Sequence, residues 1–164
     1  MKMRRETTIE ELLPASAKAI WTVLTDPTRV GEWSSECRTS HWLDGATEPT
    51  AGARYIGWSQ VRWISWSRAC RILRADRPHQ YQFETISRSH CTHWSFQLEP
   101  SGAATRAQQT FEVPRIWKVF ELTVALLLPE HRDRTYSLQA DLIRLGLAAS
   151  RTSTGPDATD KVTP

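Results

Sequence analysis

"HCTHWSFQLEP", residues 90–100, changes chemistry at every step. Thr92, Trp94, Phe96 and Leu98 fall on one side of an extended chain, and His93, Ser95, Gln97 and Glu99 fall on the other. A helix would scatter these two sets around its axis, whereas a strand with one dry and one wet face produces this period of two. The segment is therefore expected to be a strand of an antiparallel sheet.

Working outward, the same kind of segment recurs on both sides. Between Glu36 and residue 113, helical periodicity gives way to short runs separated by "DGATEPTAG" (44–52), "ADRPHQ" (75–80), "SRSH" (87–90) and "EPSGAAT" (99–105). These are turn compositions, with Asp44-Gly45 an ordinary hairpin turn, so a meander of five or six strands fits the interval. In "WSRACRI" (66–72), Trp66, Arg68, Cys70 and Ile72 share a face if the run is a strand. An arginine on an inward face then needs a partner.

The flanks read differently. "RRETTIEELL" (4–13) fits a first strand around Thr7, Thr8 and Ile9. In "PASAKAIWTVLTDP" (14–27), Ser16 is a candidate N-cap, Ala17, Ile20, Trp21 and Leu24 follow helical spacing, and Asp26-Pro27 stops the pattern. "RIWKVFELTVALLL" (115–128) is apolar on nearly every side and must pack against something or lie on an apolar surface. From Glu130 to Ala149 a second helical stripe carries Leu138, Leu142, Leu145 and Ala149. The resulting order is strand, helix, antiparallel strands and a long closing helix, an α+β arrangement. Residues 1–150 are expected to form a single domain and 151–164 a flexible tail.

Composition narrows the function. The chain of 164 residues is 40% apolar and 24% charged, which suits one globular core. Its net charge of +3 comes from dispersed arginines rather than a basic run, so no nucleic-acid partner is expected. Arg68, Arg71, Arg74 and Arg77 would form a stripe on a helix but alternate faces on a strand. Cys37, Cys70 and Cys91 are too few and too irregular for a disulfide framework. With no apolar stretch in the basic-then-acidic N-terminus, they point to a cytoplasmic protein. The run "VALLL" (124–128) is too short to span a bilayer.

Four phrases carry a resemblance: "IWTVLTDPTRVGEWSSE" (20–36), "WLDGATEPTAGARYIG" (42–57), "WSRACRILRADRPHQYQFE" (66–84) and "THWSFQLEPSGAATR" (92–106). With the order of elements, they resemble the START-like (SRPBCC) superfamily and its polyketide cyclase/dehydrase-like branch. That resemblance implies the helix-grip fold, a curved antiparallel sheet wrapped around a long C-terminal helix, with two short helices after the first strand. It also implies an apolar cavity between sheet and helix that takes lipids, polyketides or other hydrophobic molecules. The insert between Pro114 and Pro129 and the tryptophan-rich "QVRWISWS" (60–67) depart from the family pattern. A dry void of about 400 Å³ would cost on the order of 10 kcal/mol, so bulky side chains, water or ligand must fill such a space.

The candidate site follows from these readings. Trp33, Trp42, Trp58, Trp66 and Trp94 are either core fillers or walls that stack on a flat ligand. The expected ligand-binding set is Trp58, Trp66, Trp94, Phe96 and Leu142, with Arg68 as polar anchor. Trp33 and Trp42 would frame the entrance. Glu36, at the start of a strand, is the one carboxylate with a chemical reading. Turned inward, with Arg68 as a candidate partner, it would have a raised pKa and serve as a catalytic acid or base, and otherwise it is a structural ion pair. His90, Cys91 and His93 cannot converge on one metal from a strand, since His90 lies on the opposite face. Neither metal nor cofactor is expected, there being no phosphate loop and no nucleophile motif. A hydrophobic small molecule is the expected partner. Arg115 to Leu128 is read as a core helix or lid, or as a contact with a membrane surface or another protein. A polyketide cyclase/dehydrase-type enzyme and a protein-interaction module of the toxin–antitoxin or stress kind are the alternatives to a binding protein.

Overall fold

A computed structural model describes residues 3–153. The elements are β1 (Glu6–Leu13), α1 (Ala17–Leu24), β2 (Cys37–Trp42), β3 (Arg54–Val61), β4 (Ile64–Asp76), β5 (Gln80–Ile86), β6 (His90–Ser101), β7 (Ala104–Ile116), α2 (Lys118–Leu127) and α3 (Thr135–Ser153). Short 3₁₀ turns at Pro27–Glu32 and Pro129–Arg132 follow α1 and α2. The seven strands form one antiparallel sheet in the order β1-β7-β6-β5-β4-β3-β2, curved around the long α3. This is the helix-grip arrangement, with α1 and the first 3₁₀ turn as the two short helices after β1.

Local chemistry accounts for the boundaries. Ser16 Oγ accepts from the Ala19 amide at 3.2 Å and caps α1, whose buried stripe is Ala17, Ile20, Trp21 and Leu24. Asp26 accepts from the Thr28 amide and hydroxyl, so the residue that ends the helix also starts the next turn. Asp44 and Gly45 adopt left-handed φ values of 57° and 73° after β2. Pro114 lies inside β7, two residues before its end. It is tolerated because the β1 pairing runs only to Glu112, with one more bond from the Val113 amide to Arg5, and the β6 ladder is irregular between Cys91 and His93.

The principal core lies where α1 and α3 pack on β1, β6 and β7, and contains Leu13, Ile20, Phe96, Leu98, Leu142 and Leu145. Leu138, Leu142, Leu145 and Ala149 are fully buried, the face expected of the closing helix. That helix begins at Thr135 rather than Glu130, because Pro129 opens a separate turn and Asp133 caps the helix through Thr135. It also continues to Ser153, so residues 151–153 belong to α3 rather than to a tail. The rest of the expected tail lies outside the described residues. All three cysteines are free thiols. Among the described residues, no helix is long and apolar enough to cross a membrane.

Candidate functional site

A cavity of about 370 Å³ opens between the concave face of β2–β7 and α2, and its lining is mainly apolar. Strand alternation selects what faces it. On β4, Trp66, Arg68 and Cys70 point in; on β6, Thr92 and Trp94 do. On β3, Tyr55, Gly57 and Ser59 line the wall, and a Cβ at Gly57 would come within 2.9 Å of Cys37 Sγ. The absent side chain keeps β2 and β3 closely packed there. From above, Phe120, Thr123, Val124 and Leu127 of α2 close the space, and α3 contributes Asp141. The cavity is thus roofed chiefly by α2, with α3 supplying one carboxylate, rather than enclosed between sheet and α3.

Of the expected set, Glu36, Trp66, Arg68 and Trp94 line this space. Trp94 stacks on Phe83 with ring centres 5.8 Å apart, and its indole N–H donates to Thr92 Oγ1 at 3.1 Å. Trp58 does not line it. It sits on the other face of β3, 38% exposed and against His41, because Tyr55, Gly57 and Ser59 take the inward positions. Phe96 and Leu142 are each 1% exposed and belong to the core. Phe96 shares the face of Trp94 but lies further along β6, where Trp33 packs edge-on against it at 6.3 Å. Leu142 is on the side of α3 that seats on the core, next to Asp141, which faces the cavity. At the expected entrance, Trp33 is a buried residue of the cavity wall and Trp42 packs edge-on against Tyr55.

Glu36 is largely buried, and its partners differ from the expected one. Arg134 Nη2 lies 2.8 Å and His131 Nε2 3.0 Å from the same carboxylate oxygen, and Arg68 is not among its partners. Burial opposes ionisation of Glu36, but the charge of Arg134 and the bond from His131 outweigh it and hold the group at about 2. The direction is the reverse of the one expected from burial alone. The Arg134 guanidinium also sits over the rings of Trp94 and Phe111, 5.4 and 5.2 Å from their centres. Asp141 accepts from the Ser35 amide at 2.8 Å, and burial pushes its carboxyl up to about 6.

Arg68 has different company. Its Nε donates to His90 Nε2 at 3.3 Å and its Nη1 to the Ser67 carbonyl at 3.0 Å. Burial and the neighbouring guanidinium of Arg68 hold His90 down at about 4, so the ring is a neutral acceptor. The His90 ring stacks on Phe120 of α2 at 4.7 Å.

Sequence reasoning does not single out His131 and Arg134. Both come from the charged run "EHRDR" (130–134) between two apolar helical segments. That interruption is the only local signal, since their partner Glu36 is about a hundred residues away in the chain. On the outer face, the ligating atoms of Glu84, Cys91 and His93 lie within 4.8 Å of one another, while His90 faces inward as expected. Glu84 is already engaged by Arg71 and His93. Outward-pointing Arg71 and inward-pointing Arg68 show the arginine series alternating along β4.

Comparisons with known proteins agree with this fold. Solved structures of the same fold include a protein from Thermus thermophilus (TM-score 0.71, 15% identity, covering 91% of this chain and 99% of that one). A START superfamily protein from Mycobacterium smegmatis matches with TM-score 0.66 and 14% identity over 91% of this chain and 99% of its own. Norcoclaurine synthase from Thalictrum, in complex with a transition-state analogue, matches with TM-score 0.64 and 13% identity over 92% and 96%. A search of curated proteins finds no match by sequence. The family model described as polyketide cyclase/dehydrase and lipid transport matches residues 4–141. The chain therefore belongs to the polyketide cyclase/dehydrase and lipid transport family.

Proposed function

We propose that the protein binds a hydrophobic small molecule, lipid or polyketide-like, in the cavity beneath α2. One observation carries the reading. A mainly apolar space of about 370 Å³ is left open by a chain that has eight tryptophans with which to fill it. Kept dry and empty, that volume would cost on the order of 9 kcal/mol, comparable to a domain's whole stability. Trp66 and Trp94 offer flat apolar walls, and the rim reaches the surface at Leu127. The family's description as polyketide cyclase/dehydrase and lipid transport supports the same class of ligand.

The test is a panel of fatty acids, alcohols and aromatic polyketide-like compounds, read by tryptophan fluorescence and melting temperature. Ligands of the right class shift both. A panel that shifts neither, together with native mass spectrometry showing no co-purified apolar molecule, overturns the reading.

Binding is favoured over proton-transfer catalysis by Glu36. A carboxylate held ionised by Arg134 and His131 cannot serve as the acid, and its charge is already spent on that ion pair. A second surface is supported by α2 itself. Trp117, Val119, Leu122 and Leu126 turn outward and are more than half exposed, beside Arg115 and Lys118. Such a face suits contact with a membrane surface or a protein during ligand exchange. Sedimentation with anionic vesicles, lost in Leu122→Glu, supports the membrane; a stable heterocomplex without vesicle binding supports the protein.

A further inference from the structure

Of the two arginines that line the cavity among the described residues, one is neutralised by the protein and the other is not. Arg134 has the Glu36 carboxylate at 2.8 Å. Arg68, on the inward face of β4, donates only to neutral acceptors, His90 Nε2 and the Ser67 carbonyl. Among the described residues no carboxylate lies within 4.0 Å of its nitrogens, and its Nη2 makes no hydrogen bond. The groups beside it on the wall supply no anion either, and the ionised Glu36 of the same cavity is paired with Arg134. Burial pushes the Cys70 thiol up to about 12 and raises the Tyr55 and Tyr81 phenols, so all three stay neutral. Arg68 is half-buried, and the part of its charge turned to the apolar space has no counter-charge to offset its lost hydration.

Its setting is also built. His90 Nδ1 lies 3.1 Å from Ser89 Oγ and Nε2 accepts from Arg68, an arrangement that fixes the ring's tautomer. The same ring stacks on Phe120, so the guanidinium is held immediately under α2. One rung along, Thr85 and Thr92 face the cavity with hydroxyls 2.8 Å apart. The free edge of the guanidinium, Nη2 with the second Nη1 hydrogen, presents the planar fork that a carboxylate accepts bidentately.

We propose that the ligand of this cavity is an apolar molecule carrying one carboxylate, and that Arg68 binds that carboxylate beneath α2 while the apolar part extends along Trp66, Trp94 and Phe83. This rests on the reading of the cavity as a hydrophobic ligand site and names the ligand's head group. The neutral members of the same chemical series are then the poorer ligands. Arg134 does not compete for the carboxylate, because Glu36 already occupies it.

The experiment compares lauric acid with its methyl ester and 1-dodecanol, and 2-naphthoic acid with its methyl ester, by tryptophan fluorescence titration at about pH 7.5, where both acids are ionised in water. The expected result is tighter binding of at least one acid than of its own ester by about tenfold or more. Arg68→Met brings the acid's affinity to within about threefold of its own ester's, and Arg68→Lys keeps most of the wild-type preference. Esters that bind the wild-type protein as well as their acids overturn the proposal and leave the cavity reading standing. Failure of every acid, ester and alcohol to bind overturns both. The wild-type acid-to-ester ratio decides the matter even if Arg68→Met does not fold.

Discussion

Glu36 shows how one side chain's meaning depends on partners that its own neighbourhood does not reveal. Removing its charge strands Arg134 among Trp94 and Phe111, which for a buried pair costs about 3–5 kcal/mol. Glu36→Gln should therefore lower the melting temperature on the order of 10 °C at neutral pH in a chain of this size. The folded-state pKa of about 2 lies below the ordinary value, so this stabilisation is fully present above about pH 4.5. It is lost as pH falls through about 2, where wild type and variant converge; thermal melts across that range check it. Asp141 has the opposite sign. Its carboxyl is raised to about 6, so the folded state favours the protonated form and stability falls as pH rises through about 4 to 6. Asp141→Asn keeps an acceptor for the Ser35 amide and removes the buried charge. It should gain on the order of 2 kcal/mol at pH 8 and lose that gain below about pH 4, measured by denaturant melts at the two pH values.

At the scale of elements, what could be read depended on whether the signal was local. The face of each strand was legible: Trp66, Arg68 and Cys70 point inward together as their spacing requires. Depth along a strand was not. Phe96 and Trp94 share a face, yet one meets Trp33 and the core while the other meets the cavity, and only packing of distant elements separates them. Trp58 misleads for another reason, because its size suggests burial while Gly57 and Ser59, the small residues beside it, take the cavity side. Arg134 and His131 became part of the site only when the chain after α2 returned to Glu36. The seat of α3 on β1 is equally invisible in the local pattern. A Cβ at Gly146 would lie 3.0 Å from both Cβ and Cδ2 of fully buried Leu13. Leu13 Cβ cannot swing away without moving β1. Gly146→Ala, which elsewhere in a helix gains up to about 1 kcal/mol, should here be net destabilising by about 1 kcal/mol. A melting temperature above wild type would show that α3 has slack against the sheet.

For the molecule as a whole, the cavity sets stability and binding against each other. The core around α1 and α3 is closed, whereas the other half of the concave face is roofed chiefly by α2, tied down near its ends by the Arg5–Glu121 and Arg62–Glu130 ion pairs. Anything that occupies the space beneath that roof adds contacts that the empty protein lacks. A ligand at a hundred times its dissociation constant adds about 2.7 kcal/mol, or roughly 5–10 °C of melting temperature. A side chain can take part of the same gain. Val124 faces the cavity from α2, and Val124→Phe replaces about 50 Å³ of void with a ring, worth on the order of 1 kcal/mol. The variant should melt about 2–4 °C above wild type without ligand, and its affinity for whichever compound shifts the wild-type protein should fall about tenfold or more. These changes have opposite signs because one volume serves both. A variant that melts lower and binds as tightly as wild type would mean that the ligand does not sit beneath α2.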